Sequence, residues 1–207
     1  MAALSPVQLR ALAQQATLRV SANACGRATL GSGVIIEGRL VTNAHVVEDA
    51  ADVKADQPID PVVVPVLAVD RRSDLAVAEQ PAGVGLVLAG DVAVNAEAIV
   101  GQSVTLAGHA DGDGGIEIQP GIVSGRVPGD AYGYAVDVLL IDAQTRGGYS
   151  GGPVLDNAGN VVAILSGFDR STGLSLAIPA DIVRDFLDVS SVEASGSAPI
   201  PSDCNVG

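Results

Sequence analysis

From Thr17 onward the chain is cut into short β-rich runs, and this punctuation constrains its fold more than any other feature. The runs are 17–22, 28–36, 39–43, 62–69, 74–78, 98–100, 103–107, 116–118, 121–127, 136–141, 153–155, 160–166 and 174–178. Gly, Pro, Asn or Asp separates them. Many short strands at close spacing build a sandwich or barrels. No strand–helix–strand alternation is present, which argues against a parallel sheet and places the chain in the all-β class. Among the 207 residues 48% are hydrophobic and 17% charged, against the roughly 25% charged of an average soluble domain. That composition supports one globular unit, or two small barrels sharing an interface.

Helices are predicted mainly at the ends. Ser5 can cap a first helix, with Pro6 at its first position, Gln8 completing a capping box, and Leu4 and Leu9 spaced as a hydrophobic staple. Leu9, Leu12, Ala13 and Ala16 then share one face. Ala44–Val47 can form a single helical turn. Ala180–Leu187 reads as a closing helix, preceded by Pro179 and with Val183, Phe186 and Leu187 on one side. Residues 190–203 are rich in Ser, Ala and Pro and read as a tail.

Three segments carry chemistry. In Gly147-Gly148-Tyr149-Ser150-Gly151-Gly152-Pro153, glycines let the backbone turn sharply around a serine and leave N–H groups free to converge on one point. Such a point suits the oxyanion of an attacked carbonyl. A serine alone is a weak nucleophile and needs a base. Val41-Thr42-Asn43-Ala44-His45-Val46-Val47 supplies one of only two histidines, and Arg72-Ser73-Asp74-Leu75-Ala76-Val77 supplies an aspartate at a strand start. Taken singly, each has an ordinary structural explanation: a glycine turn, a hydrogen-bonded core histidine, a turn-capping aspartate.

Other features exclude classes of function. A net charge of −13 repels a phosphate backbone, so no nucleic-acid partner is expected. No run approaches the ~20 apolar residues of a membrane helix, and residues 1–20 lack the pattern of a signal peptide. His109 lies in Gly108-His109-Ala110-Asp111-Gly112-Asp113, which reads as a surface loop rather than a metal site. Gly115 and Ile116 break the calcium-loop pattern that Asp111 and Asp113 begin. No metal and no organic cofactor is expected. Cys25 and Cys204 are either two independent thiols or one disulfide closing nearly the whole chain.

In combination, Thr42-Asn43-Ala44-His45, Ser73-Asp74-Leu75-Ala76-Val77 and Gly148-Tyr149-Ser150-Gly151-Gly152-Pro153 resemble the motifs of trypsin-like serine peptidases, in that family's chain order. Thr29–Ile36, Pro120–Gly125 and Gly173–Pro179 resemble strand motifs of its bacterial HtrA-type branch. The resemblance implies two six-stranded antiparallel β-barrels with short N- and C-terminal helices. Residues 1–19 are then a helical extension and 20–189 the protease domain. Within that domain the barrels occupy about 20–95 and 96–180, the closing helix 180–188, and the tail 190–207. It also implies a serine endopeptidase of protein or peptide substrates. His45, Asp74 and Ser150 form the triad, and the N–H groups of Gly148 and Ser150 the oxyanion hole. The alternative is a protease-fold binding module without catalysis.

Two details refine the resemblance. Digestive members carry an aspartate just before the serine, which pairs with a newly cut N-terminus. Tyr149 cannot supply that carboxylate, so loop ordering must take its place. By family position the specificity pocket has its base near Gln144 and a wall at Ser166-Gly167-Phe168. Without an acid at 144, Arg or Lys specificity is not expected, and a neutral, small or medium side chain is. The cysteine placements resemble the mycobacterial membrane-tethered acid-resistance proteases. That likeness implies a Cys25–Cys204 disulfide and a periplasmic or extracellular setting, with a role in envelope stress or protein quality control. Membrane anchoring does not carry over, because the spanning part of those proteins has no counterpart in this sequence.

Overall fold

The computed structural model describes residues 3–24, 27–47, 50–56, 61–82, 94, 97–110 and 115–193. In chain order the elements are α1 (Pro6–Ala16), β1 (Thr17–Ala24), β2 (Arg27–Ile36), β3 (Arg39–Thr42), α2 (Ala44–Val47), β4 (Asp52–Asp56), β5 (Val62–Asp70) and β6 (Leu75–Glu79). There follow β7 (Ser103–Gly108), β8 (Glu117–Pro128), a 3-10 turn (Gly129–Tyr132), β9 (Asp137–Asp142), β10 (Pro153–Leu155), β11 (Val161–Phe168), β12 (Ser175–Pro179) and α3 (Ala180–Glu193). Two closed barrels result, β1-β2-β3-β6-β5-β4 and β10-β11-β12-β9-β8-β7. The pairings β1–β4 and β7–β10 close them, and both are antiparallel.

Side-chain alternation explains why many strands read as nearly continuous apolar runs. On β2, Ile35 faces the first barrel's interior with Leu18, Val20 and Leu40, whereas Val34 and Ile36 face outward into a second core. On β6, Ala76 and Ala78 point inward, and Leu75 and Val77 point outward. β11 and β12 do the same in the second barrel: Val162 and Ala177 lie inside, Ile164 and Ile178 outside. The outward faces meet in a shared core between the barrels, so these strands are buried on both sides. Aliphatic side chains, large and small, interdigitate to fill both spaces.

The helices seal that junction. The Ser5–Gln8 capping box forms, and α1 buries Leu9, Ala13 and Ala16 in the shared core. Leu4 donates its N–H to the Asn157 carbonyl at 2.8 Å. Helix α3 runs to Glu193, beyond the expected end, and is tied to both barrels. Arg39 of β3 donates to the Leu187 carbonyl at 3.0 Å, and Arg126 of β8 pairs with Asp181 at 2.9 Å.

The structure departs from the predicted runs in three places. β4 was not expected because Asp52, Lys54 and Asp56 disguise it; only Val53 and Ala55 face the core. Residues 98–100 are not a strand. Ile99 and Gln102 close a turn, with Ile99 N–H donating to Gln102 Oε1 at 2.9 Å, which leaves Ile99 and Val100 exposed. The runs 116–118 and 121–127 merge into β8 through Pro120. There β8 has only β7 beside it, an edge position that tolerates a missing N–H.

Candidate active site

Asp74 ends the turn that leads into β6. Its φ of +55° lies in the left-handed region that Asp tolerates better than most residues. Asp70 shapes that turn by accepting from Arg72 N–H at 2.9 Å and Ser73 Oγ at 2.6 Å. The Asp74 carbonyl accepts from Asn43 Nδ2 at 2.9 Å and from Ala44 N–H at 3.2 Å. These bonds fix the α2 turn, on which His45 sits, against Asp74. His45 N–H donates to Asp74 Oδ1 at 3.0 Å, and His45 Nδ1 lies 2.8 Å from Oδ2. The carboxylate is nearly buried, while about half of the imidazole side chain is exposed.

Ser150 reaches the site from the second barrel, and Ser32 of β2 holds its loop across the junction. Ser32 N–H donates to the Ser150 carbonyl at 2.7 Å, and Ser32 Oγ donates to the Gly148 carbonyl at 2.8 Å. Ser32 Oγ in turn accepts from His109 N–H at 2.8 Å. The approach is close: a Cβ on Gly151, whose φ is +86°, would lie 2.0 Å from the Ser32 carbonyl oxygen. His109 is therefore a half-buried junction residue rather than a member of an open surface loop. Asp111 and Asp113 lie outside the described residues.

Ser166 connects the two ends of the site. It is the extra residue where the β11–β12 register shifts between Leu165 and Gly167. A bulge re-aims side chains in this way. Ser166 Oγ donates to Asp74 Oδ2, and Tyr134 OH lies 2.8 Å from Ser166 Oγ. Because the Ser166 proton is committed to the carboxylate, Tyr134 is the donor to Ser166. Burial raises the Tyr134 pKa, and the nearby Asp74 charge adds to the rise, so the phenol keeps its proton. The Ser166 carbonyl accepts from Ser150 Oγ at 3.2 Å. The structure thus brings His45 and Asp74 into direct contact, and Ser150 Oγ is directed at Ser166 rather than hydrogen-bonded to His45. Among the described residues, no acceptor meets the N–H of Gly148 or Ser150.

A cavity of about 290 Å³ opens beside Ser150. Gly167 and Phe168 line it. Gln144 and Ser166 do not. Gln144 is exposed and offers its carbonyl to Gln119 Nε2 at 2.6 Å, while the Ser166 side chain turns to Asp74. Thr145 takes the expected place of Gln144 in the lining and pairs with Ser175 through their hydroxyls at 2.7 Å. Arg146 and Arg170 also line the cavity, and among the described residues no carboxylate does. Arg170 stacks over the Phe168 ring at 5.6 Å. The neighbouring Asp169 is held by Ser171 and Thr172, whose hydrogen bonds lower its pKa.

Sequence reasoning overlooked Ser32, Tyr134 and Glu117. The flanking glycines of Gly31-Ser32-Gly33 were a usable signal, since glycine inside a strand marks close backbone approach. Nothing local marked the other two. Cys25 and Cys204 lie outside the described residues.

Residues 31–164 match the family of the trypsin-like peptidase domain. The chain belongs to that family. It is HtrA-like: Protease Do-like 1, chloroplastic, of Arabidopsis thaliana is 34% identical over 172 residues, which cover 76% of this chain and 38% of that protein. A probable periplasmic serine endoprotease DegP-like of Brucella suis is 35% identical over 170 residues, covering 76% and 32%. The chain therefore spans about a third of the length of these curated relatives. The active form of the Rv3671c protease from M. tuberculosis shares the fold, with a TM-score of 0.78 at 23% identity, covering 97% of this chain and 92% of that one.

Proposed function

We propose that the chain is a serine endopeptidase in which Ser150 is the nucleophile, His45 the general base and then acid, and Asp74 the group that orients and stabilises the imidazolium. The observation that supports this reading best is the contact of His45 Nδ1 with a nearly buried carboxylate at 2.8 Å. That contact puts the proton on Nδ1 and leaves Nε2 free to accept one. Ser150 Oγ leaves its bond to Ser166, attacks the scissile carbonyl and passes its proton to His45. The unengaged N–H groups of Gly148 and Ser150 would receive the oxyanion. His45 then protonates the leaving amine, and water hydrolyses the acyl-enzyme by the same route. Catalytic hydrogen bonds are often absent before substrate binds, so the resting Ser150 rotamer is compatible with this mechanism.

The same rotamer also favours a second reading, a protease-fold module that binds peptides without cleaving them. A fluorophosphonate probe separates the two. Intact mass of the non-reduced protein after incubation should show one adduct, lost in Ser150→Ala. A folded parent that takes up no adduct and cleaves no unfolded protein rules out the peptidase. The same spectrum reads whether Cys25 and Cys204 are bonded. Further parts of the proposal are protein substrates, residence in a periplasmic or extracellular envelope as for the DegP-like relatives, and a role in protein quality control there. The proposed domain division remains 1–19, 20–189 and 190–207, although β1 begins at Thr17 and α3 runs to Glu193, so both boundaries fall inside elements.

A further inference from the structure

We propose that Glu117 is a positioning residue for the oxyanion loop, its single carboxylate gripping both residues that flank Gly147-Gly148. The inference rests on the peptidase reading and deepens it. Tyr149 OH donates to Glu117 Oε2 at 3.1 Å, and Arg146 Nη2 donates to Glu117 Oε1. Two residues along the same face of β8, Gln119 Nε2 donates to the Gln144 carbonyl at 2.6 Å. The start of β8 therefore holds the loop at Gln144, Arg146 and Tyr149.

Between the last two anchors lie only glycines, and Gly148 has a φ of +91°. Ser32 Oγ holds the Gly148 carbonyl and so the peptide that follows Gly148. The Gly148 N–H belongs to the peptide before it, between two residues without side chains, and its direction falls to the anchors on either side. Tyr149 is the firmer anchor. It is buried, and its ring lies so close to β7 that a Cβ on Gly108 would come within 2.8 Å of it. Burial, and then the bond to Glu117, push the Tyr149 pKa up to about 12, so the phenol remains a donor across the working range. The Arg146–Glu117 pair is half exposed, and alone such a pair contributes little. Its effect here is to hold the carboxylate in register with the phenol. In digestive relatives the residue before the serine carries the carboxylate. In this chain that residue is the donor and the carboxylate comes from β8, so the polarity of the anchor is reversed and no new N-terminus is needed.

The test compares Glu117→Ala and Glu117→Gln with the parent, after thermal unfolding has shown both variants folded. In Glu117→Ala, amide hydrogen exchange across 146–150 should rise on the order of tenfold. The kcat on a fluorogenic peptide should fall by a similar factor, with KM within about twofold, because the oxyanion contact strengthens only in the transition state. Affinity for a peptide aldehyde, which forms an oxyanion on Ser150, should fall in step. Glu117→Gln keeps an oxygen that accepts from Tyr149 and should restore most of each quantity. Unchanged exchange in Glu117→Ala overturns the proposal whether or not the parent cleaves peptides. A loss confined to KM overturns it as well, by placing Glu117 in substrate binding. Failure of the parent to react with the fluorophosphonate strikes the peptidase reading separately, and exchange still decides the loop.

Discussion

Asp74→Asn is the sharpest probe of the site, because the structure dictates how the amide must lie. His45 N–H donates to Oδ1, so the asparagine oxygen is required there and the NH₂ falls at the Oδ2 position. That position is 2.8 Å from His45 Nδ1 and also receives the Ser166 hydroxyl. Nδ1 also lies 3.0 Å from Oδ1, but its shorter contact now faces a donor, which drives Nδ1 toward the acceptor state and the ring proton to Nε2. An Nε2–H cannot take the Ser150 proton. The wrong tautomer costs about 10⁴-fold in kcat in enzymes with this triad, which is roughly 5.4 kcal/mol at about 1.36 kcal/mol per decade. Stability should change far less, since asparagine accepts a φ of +55° as readily as aspartate. The assay is kcat on a fluorogenic peptide at neutral pH, paired with thermal unfolding. A folded Asp74→Asn protein that loses less than tenfold would refute the tautomer argument.

Gly151→Ala should destabilise by about 4 kcal/mol or more, combining a left-handed φ with backbone overlap at the Ser32 carbonyl; a melting temperature within ~2 °C of the parent would contradict this. Among the described residues two arginines and no carboxylate line the cavity, so a peptide library should show Arg and Lys cleaved least at the position that enters it, and dominant cleavage after either would reverse that reading. Tyrosine absorbance should contain a component titrating near pH 12 that disappears in Tyr149→Phe. Because the folded pKa is raised, the linked stability is complete below about pH 10 and is lost as pH climbs toward 12; loss of stability in that interval should be weaker in the Phe variant.

The sequence by itself determined what is local or periodic. The spacing of glycine, proline, asparagine and aspartate cut the chain into short strands and placed it in the all-β class. The Ser5–Gln8 capping box was legible because all its atoms lie within one helical turn. The ordered motifs around His45, Asp74 and Ser150 pointed to one chemistry. Charge alternation hid β4, since only Val53 and Ala55 carry the strand pattern.

Tertiary structure alone decided what the barrels bring together across their junction. Ser32 is an ordinary strand residue until β2 meets the Ser150 loop. Ser166 was placed in a pocket wall, yet a one-residue register shift turns its hydroxyl to Asp74. Gln144 yields its expected place in the cavity lining to Thr145, one residue further along a loop that no periodicity governs. Tyr134 and Glu117 act through partners about thirty residues away. Such pairings depend on strand register and barrel closure, which are set by the summed burial of many side chains. No short stretch of sequence encodes them.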